Sequence, residues 1–310
     1  MSAAVRYRNI VADSARWEGF AFRPGDIVIS TPSKSGTTWT QMICALLIFQ
    51  TPAFARPLGL LSPWLDMLTR PLEAVLADLD AQRHRRFIKS HTPLDGLPFD
   101  GKVTYICVGR DPRDVALSFG NHMANMDPSA LFEARRAAVG LDDLPDELSQ
   151  GLPALPDSEI ERFWQWVDDP TPPTEGGVSG MIGSLHHLSS FWEVRGYDNV
   201  ILLHYDELQA DLEGQMRRLA DLLGIAVPAD RWPELVRAAT FSEMRRRADD
   251  VAPETSYNLW RDNQRFFNQG SSGQWRRILN DSDLRRYDAR VRALAAPDLS
   301  AWVHRGPILA

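Results

Sequence analysis

Cysteine is nearly absent from this chain: Cys44 and Cys107 are the only two among 310 residues. Two thiols in apolar surroundings form neither a disulfide framework nor a ligand cluster, so both are expected in the core. Positive charge is not in excess either. Lysine and arginine number 34 against 41 aspartates and glutamates, a formal net charge of −7. A chain of that balance lacks the broad basic surface that nucleic acid requires. Long apolar runs are missing too. The longest clean one covers 42–49, far short of the roughly 18 residues that a membrane span needs. The first 23 residues carry charges throughout and do not read as a secretory signal, which makes the cytoplasm the expected location. No internal repeat, low-complexity tract or linker divides the chain. With 44% hydrophobic and 24% charged residues, it is expected to form one globular domain over 1–310. These absences leave room for one small anionic ligand held in a local basic pocket.

Several stretches read as buried strands: 26–30, 86–89, 103–108 and 200–203 are short, apolar and rich in β-branched residues. Helices are expected over 37–50, from Pro112 onward with Asp111 as its cap, over 183–195, and over 206–223 up to Gly224. Strand–loop–helix units in succession predict an α/β fold, a central parallel sheet flanked by helices. The segment 128–178 differs. It holds Pro145, Pro153, Pro156, Pro170, Pro172 and Pro173, with Ile160, Phe163, Trp164 and Val167 at helical spacing. It reads either as a surface excursion or as a lid-like, acceptor-binding insertion.

The most informative stretch is Thr31-Pro32-Ser33-Lys34-Ser35-Gly36-Thr37-Thr38-Trp39, between a strand and a helix. Backbone N–H groups at a helix start favour a bound phosphate. Gly36 allows close backbone approach, Lys34 adds a cation, and the threonines add hydroxyls. The nucleotide-binding loop with Gly-Lys-Ser/Thr order is not present, because Lys34 precedes Gly36.

The string Pro-Ser-Lys-Ser-Gly-Thr-Thr-Trp resembles the 5′-phosphosulfate loop of the cytosolic-type sulfotransferases, which use 3′-phosphoadenosine 5′-phosphosulfate (PAPS). The resemblance implies a P-loop-like domain. It assigns phosphosulfate binding to Lys34, Ser35, Gly36, Thr37 and Thr38, and adenine stacking to Trp39. Further segments follow in the family's order. The run Gly109-Arg110-Asp111-Pro112-Arg113-Asp114-Val115-Ala116-Leu117-Ser118 resembles its 3′-phosphate element, with Arg110 and Ser118 in the binding roles. By the same likeness, Tyr205 and Phe241 contact adenine. Lys89-Ser90-His91-Thr92-Pro93 resembles the segment that holds the general base, which implies that His91 takes the acceptor proton and Lys89 neutralises developing charge. The transfer so implied is in-line attack on sulfur, with Lys34 on the leaving side and no metal ion.

One segment departs from the family. Its usual Arg-Lys-Gly-x-x-Gly-Asp-Trp is here Asn268-Gln269-Gly270-Ser271-Ser272-Gly273-Gln274-Trp275, so two cations expected at the 3′-phosphate are amides. Arg265, Arg276 and Arg277 are the nearby candidates to replace them. Weaker donor binding, or weaker discrimination against a donor without the 3′-phosphate, is the expected consequence. Other stretches, including Ser62-Pro63-Trp64-Leu65-Asp66, look most like prokaryotic glycolipid sulfotransferases. The resemblance therefore implies a lipid-like or small-molecule hydroxyl acceptor (a glycolipid, phenol or other apolar alcohol) and leaves oligomeric state open. Two competing readings are an ATP-dependent kinase and a nucleotide-binding module without transfer activity.

Overall fold

Four short strands form one parallel sheet in the computed structural model, which describes residues 4–145, 148, 151–253 and 257–305. β1 (Ile27–Ser30), β2 (Phe87–Ser90), β3 (Thr104–Gly109) and β4 (Val200–His204) lie in the order β2-β1-β3-β4. The helices that bear on the site are α1 (Thr37–Phe49), α2 (Pro112–Asn125), α3 (Pro128–Val139), α4 (Glu159–Asp168), α5 (Met181–Trp192), α6 (Tyr205–Ala210), α7 (Leu212–Leu222) and α8 (Pro297–His304). Side chains alternate across a strand, so β1 can feed two cores. Ile27 and Ile29 join Met42, Ile43, Leu46 and Leu47 of α1. Val28 joins Leu188 and Phe191 of α5 on the opposite face. Both faces are covered, as an all-parallel sheet requires. Cys44 and Cys107 are buried, one in each of these cores.

Register explains why the loops converge. Ser30 of β1 pairs with Ser90 of β2, and Gly109 of β3 pairs with His204 of β4. The residues just beyond these ends, Thr31, His91, Arg110 and Tyr205, therefore leave the sheet along one edge. α8 braces two of those ends. A side chain on Gly109 would strike the Trp302 ring at 2.4 Å, and His204 sets its ring edge-on to Trp302 and its Nε2 3.2 Å from the Val303 carbonyl.

Two expectations are revised. The helix expected over 206–223 is split into α6 and α7 at Asp211, whose φ of −146° leaves the helical region and whose carboxylate accepts from Gly214 N–H at 2.8 Å. A short acid that caps a new helix ends the previous one. The segment 128–178 is more regular than its prolines suggest. Asp127 caps α3, with Pro128 in its first turn, where a proline's missing N–H costs nothing. α4 then buries Phe163, Trp166 and Val167 against Val115 of α2 and Leu185 of α5. Residues 146, 147, 149 and 150 of this segment lie outside the described set.

Below the sheet, Arg86 and Asp26 form a buried bidentate pair at the starts of β2 and β1. Removing one partner of such a pair strands a charge in the interior. Arg86→Ala is expected to lower unfolding free energy by about 3–5 kcal/mol in urea titrations. A loss no larger than the roughly 1 kcal/mol of a surface pair would show that water reaches Asp26.

Candidate active site

A cleft of about 300 Å³ opens above the edge where the strands end. Three cations, Lys34, Lys89 and Arg110, belong to its wall, and no aspartate or glutamate does among the described residues. The chain contains only three lysines, Lys34, Lys89 and Lys102, and two of them stand here. Positive charge is thus concentrated locally in an acidic protein, a field suited to a compact polyanion.

Lys34 is delivered by the loop between β1 and α1. Its φ of 64° lies in the left-handed region, a conformation that costs a residue with a β-carbon roughly 1–2 kcal/mol and marks functional loops when observed. Gly36, the N-cap of α1, has φ 105° and provides no side-chain cap. A β-carbon there would also come within 3.1 Å of the Tyr205 ring. The first N–H groups of α1 are thereby left to the cleft. Lys34 Nζ lies 3.2 Å from His122 Nδ1 and 4.4 Å above the Phe266 ring. Burial, then the charges of Arg110 and Lys89, push its pKa down to about 7.

His91 is held in one tautomer. Its Nδ1 is 2.7 Å from the Thr31 carbonyl oxygen. A carbonyl only accepts, so Nδ1 carries the hydrogen and Nε2 keeps its lone pair. Burial, followed by the charge of Lys89, drives the imidazole pKa well below 6.5, against the opposing pull of the Thr31 carbonyl. The ring is therefore neutral at neutral pH. The turn around it is fixed by Asp66, whose Oδ2 accepts from Ser90 Oγ at 2.7 Å, Thr92 Oγ1 at 2.6 Å and Trp17 Nε1 at 3.1 Å. Trp64 supports both neighbours: its ring meets His91 edge-on at 4.8 Å, and Lys89 Nζ sits 4.0 Å from its centroid.

At the other end, Arg110 stacks on Tyr205 at 4.2 Å, and its Nη1 donates to the Lys34 carbonyl at 2.9 Å. Its Nε is buried without a partner. An orphaned guanidinium N–H in a cationic wall is a vacancy for an acceptor oxygen. Arg113 lies outside the cleft wall: it closes a bidentate pair with Asp111 and sits over Trp275 at 3.7 Å, and its own unpartnered Nη1 is buried away from the cleft lining. Trp39 is anchored by its Nε1–H to the Ala239 carbonyl at 2.8 Å and packs edge-on against Tyr205. Gly270 has φ 63°, and a β-carbon there would overlap Phe241 at 2.3 Å. Asp114 ties this last loop to α2, accepting from Gly273 N–H at 2.6 Å and Gln274 N–H at 2.8 Å.

Of the residues to which the resemblance assigns a catalytic or binding role, all but one line this cleft, including Thr37, Thr38, Ser118, Asn268 and Gln269. Ser35 is buried outside it, and its N–H turns back to the Pro32 carbonyl at 3.2 Å. None of the three candidate replacement cations reaches the wall. Arg265 is exposed beside Asp262, Arg276 lies on Trp275, and Arg277 pairs with Glu159 at 2.6 Å. Sequence reasoning missed His122, Trp260, Phe266, Met123 and Met126, which complete the wall. For His122 and Met123 a signal existed, since both sit about one turn beyond Ser118 on α2. For Trp260 and Phe266, which come from a long irregular stretch, there was none.

Residues 24–298 match the Sulfotransferase domain family. The chain belongs to this family. The "Glycolipid sulfotransferase" of Mycobacterium bovis is 44% identical to it over 315 residues, covering 99% of this chain and 96% of that protein. Two solved structures share the fold of this sulfotransferase. Mouse sulfotransferase SULT7A1 complexed with PAP superposes with a TM-score of 0.67 at 19% identity, covering 94% of this chain and 91% of that one. Retinol dehydratase in a complex with retinol and PAP gives 0.66 at 20% identity, covering 90% and 84%.

The depressed Lys34 pKa has a consequence for stability of the empty sulfotransferase. An ordinary lysine titrates at 10.5, so between pH 7 and 10.5 the unfolded chain binds a proton that the native state does not. The cost of burying this cation is complete below pH 7 and fades as pH rises toward 10.5. Lys34→Met is therefore expected to unfold at higher denaturant than wild type at pH 6, with the gap narrowing by pH 9. Equal gaps at both pH values would contradict the shifted lysine.

Proposed function

We propose that this sulfotransferase moves a sulfuryl group from PAPS to the hydroxyl of an apolar acceptor. One observation carries the reading: an imidazole with its Nε2 lone pair free shares a small cleft with three cations and, among the described residues, no carboxylate. The first group suits removal of a hydroxyl proton, and the second suits a phosphate-rich donor. The PAP held by the two structural neighbours and the unpaired Arg110 Nε support the same donor.

The donor supplies the transferable group; this chain's residues bind, orient and move a proton. The loop from Lys34 to Thr38, with the N–H groups that open α1, holds the 5′ end. Arg110 and Ser118, with Asn268, Gln269 and Gly270, hold the 3′ end, and Trp39, Tyr205 and Phe241 take the adenine. His91 Nε2 accepts the acceptor's hydroxyl proton, and the hydrogen on Nδ1 stays on the Thr31 carbonyl, which keeps the tautomer fixed. Lys34 and Lys89 stabilise charge that develops on the leaving oxygen and the transferring group. These protein cations supply the positive field, so no metal ion takes part in the reading.

The acceptor end of the cleft is apolar and pliant. Met67, Met123, Met126, Leu131, Leu259 and Trp260 line it, and methionines adapt to varied shapes. That wall, the glycolipid named for the mycobacterial relative and the retinol named for the structural neighbour favour an alcohol on a lipid-like or aromatic body. Among the described residues no helix is long and apolar enough to cross a membrane.

Labelled PAPS mixed with a panel of lipid, phenolic and steroid alcohols, with a chelator present, is the direct test. Label transfer is expected, and His91→Ala should lower kcat/KM by roughly 10²–10⁴-fold. Nucleotide binding without transfer to any acceptor would favour a non-catalytic module, and Mg²⁺-dependent ATP consumption would favour a kinase.

At the 3′ end two positions carry amides where the family has cations, and none of Arg265, Arg276 and Arg277 replaces them. Gln269→Lys is expected to tighten PAP binding by roughly tenfold or more and to widen the preference for PAP over adenosine 5′-phosphate. Titration calorimetry measures both. Unchanged affinities would mean that Gln269 does not meet the 3′-phosphate.

A further inference from the structure

The cleft contains a second imidazole whose role the resemblance does not assign. His122 lies one turn beyond Ser118 on α2, so the two share a helix face. Lys34 Nζ is 3.2 Å from its Nδ1. An ammonium has no lone pair, so the lysine donates and His122 accepts, which leaves the ring hydrogen on Nε2. His91 has the opposite tautomer, with its hydrogen on Nδ1. Three aromatic rings fix the His122 plane: Trp260 at 4.6 Å, Phe266 at 5.8 Å and Phe119 at 6.3 Å.

The groups that face His122 explain why it stays an acceptor. Lys34 reaches it from the β1–α1 loop, and Lys89 and His91 act on it from β2 and its end; the packed neighbours are aromatic. Burial, then these charges, hold its pKa well below 6.5. A neutral ring is thereby kept beside a lysine that Arg110 and Lys89 repel.

We propose that His122 is a positioning residue for Lys34: its Nδ1 accepts the lysine N–H and holds the ammonium inside the cleft, at the junction of the donor and acceptor ends. Phe266 covers the ammonium from a second side at 4.4 Å, a cation–π contact that a neutral amine would not gain. His122 thus favours the charged form of a lysine whose charge is marginal at neutral pH. The consequence for turnover rests on the sulfuryl-transfer reading, whereas the contact itself does not.

The test uses the whole chain labelled with ¹³C at lysine Cε. Three lysines give three signals, and Lys34→Arg identifies the one of interest. In wild type that signal is expected to titrate near 7. His122→Phe removes the acceptor and should lower the midpoint by about one pH unit, with kcat down roughly tenfold. His122→Asn places an amide oxygen near the former Nδ1 and should restore both. His122→Leu serves as a second apolar variant if the phenylalanine does not fold. A midpoint that neither apolar variant moves overturns the proposal, whatever happens to kcat. Wild-type protein that transfers no label would sink the functional reading instead, while the lysine titration still decides the role of His122.

Discussion

Concentrating Lys34, Lys89 and Arg110 in one small wall is the constraint to which the surrounding structure answers. Like charges repel most strongly where water is scarce, so each must be held by something other than a carboxylate in the wall. Aromatic faces do much of this: Phe266 under Lys34, Trp64 beside Lys89, Tyr205 against Arg110. Carbonyl oxygens do more, as the Lys34 carbonyl does for Arg110. The arrangement leaves the positive field available, because neither π faces nor carbonyls neutralise it. A site built this way gives up stability when empty and regains it when an anion arrives.

Asp66 carries the same logic into the interior. It is a fully buried carboxylate whose pKa burial raises, with Thr92, Ser90 and Trp17 pulling the other way. Two of its three donors, Ser90 and Thr92, sit immediately before and after His91. A carboxylate is tolerated there because it faces hydroxyls rather than the cleft, and it fixes the turn without cancelling the field that the ligand needs. His91 and the Thr31 carbonyl that orients it are thus placed from the backbone outward, by strand register first and hydroxyl bonds second.

Much of this was legible in the sequence. Strand–loop–helix units carry their own punctuation, so β1, the loop through Lys34 and the proline that opens α2 were readable from local chemistry. Arg110 was also separable from Arg113 in principle, since only Arg113 follows an aspartate at the distance of a cap. Tertiary choices were not legible. Nothing local tells that Ser35 turns inward while Ser33 and Lys34 face the cleft, or that Asp211 splits a helix of continuous amphipathic pattern. The tract rich in proline was legible in part: the helical spacing of Ile160, Phe163, Trp164 and Val167 marked α4, whereas α3, which Pro128 opens, was not read. For His122 the spacing from Ser118 could place it near the cleft, but its contact with Lys34, 88 residues away along the chain, was not legible.

The brace that α8 provides has a bearing on the order of events during synthesis. Trp302 packs against the glycine that precedes Arg110, and Val303 meets the histidine that precedes Tyr205. The ends of two strands are thus completed by a helix that follows both of them in the sequence. A ribosome-bound chain that already contains Lys34, His91 and Arg110 but not yet this helix still lacks the support it gives to those two strand ends.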